Sequence, residues 1–427
     1  MNALTMAARN AFSYGKRTLV TASSIAAAVM FAIAMDGFIA GSETETIRNL
    51  RDFETGEATI YPPGYFADRD ALPFDRFIEL ADRPAIESVL AGRPATPRAI
   101  LSCELYLTEE SFAVPGSVTA VLFAVDPERD RAVFKTASSV SAGRWLKSGD
   151  SGVVLGSWLA EDARAKVGYT LTVECRGRGG FYQTFDAPVI GIVTTGDPPV
   201  NRDAAFICLS YADELLALSG GVTEYAVRLG GAESVTGSWA RDRRLASETA
   251  RIRERLAAAR VDADARDWRE IGADTLKLLR AQTGETTLYL FFIFAIAAVG
   301  ITNTMLMAVL ERTKEIGTLR ALGFGRARIR RLFLAEGFII ALIGSAAGLV
   351  LGAALTWYLT VRGMDFGFML REMDIGYRIT GVIRSAWNIP GIARTVLFTL
   401  AISTLVAWFP SGAVLRREVA DILRNGR

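Results

Sequence analysis

Two apolar runs enclose a short basic segment in the C-terminal half of the chain. Residues 288–310 read LYLFFIFAIAAVGITNTMLMAVL, residues 311–331 read ERTKEIGTLRALGFGRARIRR, and residues 332–358 are apolar apart from Glu336. Each apolar run is long enough to cross a bilayer as a helix, at about 1.5 Å of rise per residue. The basic residues of the middle segment, against the acidic Glu311 and Glu315, are Arg312, Lys314, Arg320, Arg326, Arg328, Arg330 and Arg331. Short loops rich in Lys and Arg stay on the cytoplasmic side. We therefore expect two spanning helices that present one compact basic element to the cytosol.

Two further apolar runs complete the membrane pattern. Residues 19–40 follow a basic segment, 1–18, that we expect to form a short amphipathic helix on the inner membrane surface. The alternative for 19–40 is a cleaved signal peptide, but a signal core usually has only about 7–15 apolar residues. Residues 392–410 form the last predicted span, after a short outer loop at 359–391 and before a basic cytoplasmic tail at 411–427. The charge bias places both termini inside.

Composition limits the classes of function. The chain has 427 residues, 51% of them hydrophobic, and a formal net charge of only +2, which argues against a nucleic-acid partner. It contains no histidine, so Ser-His triads and histidine-ligated metal sites are excluded. Cys103, Cys175 and Cys208 are too far apart in sequence for a local zinc knuckle. They are expected to be buried apolar side chains, with one disulfide as the alternative in an oxidising compartment.

Residues 41–287 have the composition of a large α+β domain, inserted between the first two spans. The region mixes β-branched and aromatic runs with helical patterns, and Gly177–Gly180 predicts a hairpin turn. The predicted strands are 58–61, 99–107, 117–125, 171–175, 187–193, 205–209 and 225–229. The predicted helices are 74–91, 128–137, 158–166, 211–218, the charged 234–259 and the amphipathic 267–280. Because 267–280 leads directly into the second span, a continuous helix there would couple the outer domain mechanically to the membrane.

Two features inside the spans have alternative interpretations. Asp36 is a candidate intramembrane proton or ion site, but a position near the outer interface, with Gly37 ending the apolar run, is the preferred interpretation. Gly344, Gly348 and Gly352 recur every four residues, a spacing that lets another helix approach closely. The partner is either another span of this chain or a second copy.

Residues 303–323 (NTMLMAVLERTKEIGTLRALG) and 333–352 (FLAEGFIIALIGSAAGLVLG) resemble the FtsX-like permease family of ABC transporters. The resemblance implies a four-transmembrane-helix permease whose basic segment is the coupling helix that docks on a nucleotide-binding subunit. The implied contact residues are Glu311, Arg312, Lys314, Glu315, Ile316, Gly317, Leu319, Arg320, Leu322 and Gly323.

The outer region, with VVLGSWLAEDARAKVGYTLTV at 153–173, is similar to the periplasmic domain of lipoprotein-releasing (LolC/LolE-type) permease subunits. The resemblance implies an inner-membrane protein with two copies of a cytosolic ABC ATPase, a second permease copy or paralogue, and a lipoprotein or other amphipathic cargo. No phosphate-binding Walker A sequence is present, so ATP and Mg²⁺ are expected in the partner, and no cofactor or catalytic residue is expected in this chain. The alternatives are a MacB-like efflux permease for peptides or drugs, an FtsX-like transducer that controls cell-wall hydrolases and, least favoured, a membrane-anchored enzyme.

Overall fold

A computed structural model describes residues 15–107, 117–230, 239–311, 313–365 and 382–415. The chain divides into two compact units. The first, termed the helical unit, comprises Met1–Glu43, Leu278–Asp365 and Val382–Arg427. The second, termed the head, comprises Thr44–Lys277 among the described residues.

The elements follow one another in a mixed order. The helices are α1 (Gly15–Asn49), α2 (Arg83–Leu90), α3 (Pro127–Val133), α4 (Ser157–Asp162), α5 (Pro198–Asp203), α6 (Leu209–Leu216), α7 (Trp239–Ala258), α8 (Trp268–Ile271), α9 (Ala273–Glu311), α10 (Thr313–Ala321), α11 (Arg326–Arg362) and α12 (Ile389–Leu415). The strands are β1 (Ala58–Tyr61), β2 (Ala95–Leu107), β3 (Val118–Val125), β4 (Val140–Gly143), β5 (Val153–Gly156), β6 (Thr170–Arg176), β7 (Tyr182–Val193), β8 (Ala204–Cys208), β9 (Glu224–Val227), β10 (Asp264–Asp267), β11 (Met364–Asp365) and β12 (Val382–Ile383).

Three helical stretches of the described chain are long and apolar enough to cross a membrane: Thr18–Thr55, Arg326–Arg362 and Ile389–Trp408. A shorter apolar stretch, Leu288–Asn303, lies within α9. These ranges include parts of all four predicted spans.

Six strands of the head close into a ring. Strand β2 pairs with β3, β3 with β8, β8 with β5, β5 with β7, β7 with β6, and β6 returns to β2. The pairs β3–β8 and β5–β7 are parallel, and the others are antiparallel. Inward side chains such as Leu101, Leu122, Val173 and Ile207 form one buried cluster. Closure removes the exposed strand edges that an open sheet would leave.

The first four residues of β2 also pair with a second set of strands in the head. There β2 pairs with β9, β9 pairs with β1, and β1 pairs with β10. Ile60, Tyr225 and Val227 from these strands pack with Ile86 of α2 and Ile252 of α7. Helices α2 and α7 each have apolar side chains along one face, as helices that cover one face of a sheet do.

A single turn of π-helix, Leu50–Thr55, continues directly from α1 and is termed the π segment. Leu50 packs in a buried cluster with Leu245 and Trp268, and a Cβ added at Gly272 would lie 2.4 Å from a Leu50 methyl carbon. Phe53 lies in a different cluster, with Trp145 among its members. Isolated π-turns are rare and frequently occur at functional positions.

Polar side chains of the π segment also bind other parts of the head. Asp52 accepts from the Lys135 Nζ at 2.8 Å and from an Arg228 Nη at 3.0 Å. Glu54 lies beside Asp197, and burial together with the neighbouring Glu54 carboxyl raises the pKa of Asp197 well above its usual range. Burial also raises the pKa of the Glu54 carboxyl, and both shifts favour the neutral form of the carboxyl groups over two adjacent buried negative charges. Apolar and polar contacts together hold the end of α1 in the head from several sides.

A buried charged cluster lies where β2 meets β9. The Arg98 guanidinium is fully buried, donates to Asp130 Oδ1 from Nε at 2.9 Å, and lies 3.4 Å from the centre of the Phe134 ring. Glu224 is the direct β9 neighbour of Arg98, and burial raises the pKa of the Glu224 carboxyl to about 7 although the Arg98 charge opposes this shift. Removing either Arg98 or Asp130 would leave the other as an uncompensated buried charge.

Two predicted helices are wrong in part. The pattern at 74–91 forms a helix only from Arg83, because Ile78 instead exchanges two backbone hydrogen bonds with Val222. The pattern at 267–280 is divided: α8 ends at Ile271, and α9 begins at Ala273. The short strands β4, β5 and β10 were not predicted, whereas β1 has the predicted bounds and Gly177–Gly180 does turn between β6 and β7. The predicted helix at 234–259 is described from Trp239, and its first residues lie outside the described ranges.

The three cysteine thiols are free and buried in the structure. Cys103 and Cys175 belong to the cluster inside the ring of strands, and Cys208 ends β8. Their burial agrees with the expectation of small apolar side chains.

We expect the Glu224 carboxyl to make the stability of the head depend on pH. Its pKa rises from 4.5 in the unfolded chain to about 7 in the fold, so its stabilisation is complete below pH 4.5 and is lost as the pH rises to 7. Glu224→Gln should remove about 3 kcal/mol of this pH dependence, a relative shift of roughly 10 °C in the unfolding midpoint between pH 4.5 and 8.

Thermal unfolding of the full chain in detergent at pH 4.5, 6 and 8 measures this shift. Glu174→Gln is the matched control, because Glu174 is a partly exposed carboxylate on β6. It should follow the wild-type pH profile. Parallel profiles for wild type and Glu224→Gln would contradict the prediction.

Candidate functional site

The basic segment between the second and third apolar runs forms a helix, a tight turn and the start of a second helix. At the end of α10, the Leu322 amide donates to the Thr318 carbonyl at 3.0 Å, and the Gly323 amide donates to the Arg320 carbonyl at 3.0 Å. Gly323 has φ of +88°, the left-handed conformation in which glycine commonly ends a helix. The Gly325 carbonyl then accepts from the Arg328 amide at 2.9 Å as α11 begins. The turn is therefore short and built on two glycines.

The predicted contact residues do not all share one environment. Ile316 and Gly317 are buried, Arg320 is partly exposed, and Glu311 and Leu322 are exposed, Leu322 at 71%. Gly323 is exposed at the turn. Arg312 lies outside the described residues, and for Lys314, Glu315 and Leu319 the structure describes the backbone only. Of the exposed members, Leu322 and Gly323 lie at the turn, and Glu311 lies at the end of α9.

The first turn of α11 is positively charged, which is unfavourable at the N-terminal end of a helix. It contains Arg326 and Arg328, both exposed, and no acidic residue. Cations are disfavoured near the positive N-terminal end of a helix dipole. Arg328 stacks on the Phe324 ring at 5.5 Å and Arg330 on the Trp408 ring at 4.6 Å, which holds both guanidinium groups in place. The combined positive field suits an acidic partner surface.

The glycine stripe of α11 lies against α1. A Cβ added at Gly344 would lie 2.8 Å from the Ile25 Cβ, and one at Gly348 would lie 2.7 Å from the Ala26 carbonyl oxygen. At Gly352 the added Cβ would lie 3.0 Å from the Ile33 Cβ. These distances are shorter than ordinary contacts, so the two helices approach at a separation that only glycine allows.

Asp36 links α1 to the beginning of α12. One Asp36 carboxylate oxygen accepts from the Asn388 Nδ2 at 2.8 Å, and the other accepts from an Arg394 Nη at 3.3 Å. The Asn388 Oδ1 in turn accepts from the Gly391 amide at 3.1 Å, as an N-terminal cap does. An added Cβ at Gly391 would overlap Asp36, at 1.9 Å. The carboxylate therefore serves as an interhelical hydrogen-bond acceptor near a helix N-terminus, where negative charge is favoured.

Helix α9 packs through its apolar side chains. Phe294 is buried with Ala28 and Ala32 of α1, and its ring meets the Phe398 ring of α12 edge to face at 5.5 Å between centroids. Within the described ranges, no group of three or more acidic or cysteine side chains is placed to hold a metal ion.

Sequence reasoning missed two parts of this arrangement. The π segment, LRDFET, has no apolar period, and only the folded head shows where each of its side chains binds. Asn388 is an isolated polar residue in a segment expected to be a loop, and its role follows from the position of Asp36. Cross-chain partners of this kind leave no local pattern in the sequence.

We expect Gly348→Val to destabilise the helical unit. The new side chain would meet the Ala26 carbonyl and Val29 of α1 at distances that force the helices apart, at a cost of about 1–3 kcal/mol. The thermal midpoint of the full chain in detergent should fall, and less folded protein should reach the membrane. Gly300→Val in α9 is the control, because an added Cβ there meets no atom within 4 Å. Equal stability of the two variants would contradict the packing role.

Two family models match this chain. Residues 18–237, more than half of the chain, match the MacB-like periplasmic core domain. Residues 287–419 match the FtsX-like permease C-terminal model. Neither description is that of an ATPase domain, and together they confirm the prediction of a permease subunit.

Named relatives include two lipoprotein-releasing system transmembrane proteins LolC. The protein from Neisseria meningitidis is 24% identical over 339 residues, which are 77% of this chain and 79% of the relative. The protein from Xylella fastidiosa is 28% identical over 162 residues, 37% of this chain and 39% of the relative. The macrolide export ATP-binding/permease protein MacB from Hahella chejuensis is 22% identical over 387 residues, 87% of this chain but only 53% of the relative.

Among solved structures, the periplasmic region of MacB from Actinobacillus actinomycetemcomitans is 17% identical and covers 54% of this chain and 96% of its own length. Its TM-score is 0.34, too low to add to the fold described above. The two family models and the named relatives agree on an inner-membrane protein with a mixed α/β periplasmic domain. The chain belongs to the FtsX/MacB/LolC family of ABC transporter permeases.

Proposed function

We propose that this chain is a permease subunit of the lipoprotein-releasing type. It crosses the inner membrane four times, holds its head in the periplasm, and passes the motion of a separate cytosolic ATPase to that head. The observation that carries the proposal is the short, glycine-built turn between α10 and α11, with exposed Leu322 and an exposed cationic helix start. Such a compact projection between two membrane helices is suited to fit a cleft on a partner.

Four spans follow if the apolar stretch of α9 crosses the bilayer as α1, α11 and α12 do. Helix α9 has 39 residues, which correspond to about 58 Å of helix against a hydrocarbon core of about 30 Å. Phe294 and Ile301 of α9 are buried with residues of the other apolar helices. The positive segment at 311–331 then lies in the cytosol, and both chain termini lie inside.

The coupling works by transmission along rigid helices. Closure of two ATPase subunits displaces the α10–α11 turn, and the displacement passes to α9 and, through the close α1–α11 contact at the glycine stripe, to α1. Both α1 and α9 are longer than a bilayer requires, so each continues beyond the hydrocarbon as a stiff rod. The cargo, a lipid-anchored protein, enters from the outer leaflet and is released towards an acceptor.

Coverage favours lipoprotein release over drug export. The match to the Neisseria LolC extends over 79% of that protein, so the two chains have a similar extent, whereas the Hahella MacB is an ATP-binding/permease protein of which only 53% is matched. A MacB-like efflux permease remains the second candidate, because the head matches the MacB-like periplasmic core model. An FtsX-like control of cell-wall hydrolases is the third.

Depletion of the chain separates these functions. Lipoproteins that accumulate in the inner membrane support release, sensitivity to macrolides or peptides supports efflux, and a cell-division or cell-chaining defect without either supports control of hydrolases. Two copies of an ATPase and a second permease chain should be recovered on purification from native membranes, and the identity of that second chain distinguishes a homodimer from a pair of paralogues.

We expect Arg320→Ala to reduce the ATPase activity that depends on the permease by at least about five-fold, the effect of losing about 1 kcal/mol at an interface. Arg320 lies at the last turn of α10 and is partly exposed, beside the turn that would enter the ATPase. The measurement is ATP hydrolysis by the purified complex in proteoliposomes, with membrane insertion checked separately. Glu315→Ala should act in the same direction.

Arg331→Ala is the matched control, because it removes the same charge from an exposed position on α11 further from the turn. We expect the Arg331→Ala variant to retain most of the permease-dependent ATP hydrolysis. Equal coupling in wild type, Glu315→Ala and Arg320→Ala would exclude the docking role of the segment.

A further inference from the structure

Two of the three cysteines lie directly opposite each other on neighbouring strands. In the antiparallel pairing of β2 with β6, Cys103 is the register partner of Cys175. Opposite residues of an antiparallel pair project to the same face with Cβ atoms from about 4.5 Å apart, which is the upper end of the separation that a disulfide spans. Their Cα separation of about 4.5–5.5 Å falls within the range that a disulfide bridges.

Both side chains project into the interior of the ring of strands. Cys103 is 3% exposed, Cys175 is fully buried, and both belong to the cluster that contains Leu105 and Val173. The Cys175 Sγ lies 3.3 Å from the Ser102 carbonyl oxygen, on the residue next to Cys103. The two thiols therefore share one enclosed apolar cluster.

Cys208 differs from this pair in its neighbours. It ends β8, where its register partner on β3 is Val125, and its Sγ lies 3.2 Å from the Ser210 hydroxyl. No cysteine of the described chain lies opposite it in the sheet. The chain thus supplies its own internal control for a pairing between Cys103 and Cys175.

We propose that Cys103 and Cys175 form an intramolecular disulfide in the mature protein, across β2 and β6. The proposal rests on the placement of the head in the periplasm, where disulfides form and persist. In the reaction the two thiols lose two protons and two electrons and an S–S bond forms. The oxidant is an extracytoplasmic thiol–disulfide oxidase, whose own disulfide is reduced to two thiols.

The reaction belongs to folding rather than to the finished head. Burial raises the pKa of the Cys175 thiol to about 12 and that of the Cys103 thiol well above its usual range. Because the thiolate is the form that attacks a disulfide, the two thiols react with the oxidase before the ring of strands closes over them. The bond then holds the turn end of the β6–β7 hairpin to β2.

Counting thiols in the full chain tests this proposal. Protein from aerobically grown cells is quenched in acid, denatured and labelled with a maleimide of known mass, with and without prior reduction. We expect one labelled thiol, at Cys208, before reduction and three after it. Cys208→Ala should show none before reduction and two after it, and Cys103→Ala should show two in both samples.

Reduction should also lower the thermal midpoint of the head, by roughly 10 °C, in wild type and in Cys208→Ala alike. Three labelled thiols in the unreduced wild-type sample, or a linkage that contains Cys208, would overturn the proposal. If three thiols are found, refolding of the denatured chain with oxidised glutathione separates the two causes. Formation of the Cys103–Cys175 bond there means that the head is not exposed to the oxidising compartment, and failure to form it means that the strand geometry is wrong.

Discussion

The attachment of Leu50–Thr55 inside the head is the constraint on which this architecture depends. Here α1 continues as a π-turn whose Asp52 is held by two cations and whose Phe53 enters a buried cluster. Glu54 and Asp197 lie beside each other, and burial raises the pKa of both carboxyl groups, which favours their neutral forms. The same segment thus ends the helix and belongs to the core of the head.

The helical unit is organised by close approach and by one polar link. Glycines of α11 let the backbone of α1 come near, which increases the dispersion contacts that must replace the hydrophobic effect among lipid-facing helices. Asp36 adds a directional contact between α1 and the cap of α12. Displacement of α11 at its basic end therefore has a defined route to α1, which supports the proposed transmission.

Much of this arrangement could be predicted from the sequence because its signals are local. Strand β1 and the β6–β7 hairpin follow from β-branched runs and a glycine turn, and the spans follow from apolar length. Strand β10, with the sequence DARD, has no such signal, since its extended form depends on pairing with β1. Gly272, at the division between α8 and α9, lies against the Leu50 side chain, which belongs to a distant part of the chain. In the candidate site, the basic segment follows from its Lys and Arg residues between two apolar runs. The cap of α12 and the π segment depend on contacts made only in the fold.

The most direct test of the proposed transmission interrupts helix α1 between the membrane and the head. A flexible Gly-Ser-Gly-Ser insertion between Glu45 and Thr46 would break α1 before the π segment while leaving the contacts of Leu50–Thr55 intact. The measurement is ATP-driven cargo release from proteoliposomes, beside ATP hydrolysis and thermal unfolding of the head, with the same insertion after Gly149 in an exposed loop as control. The account predicts that release falls to the level seen without ATP while hydrolysis and head stability persist. Release at the wild-type rate with α1 interrupted would contradict it.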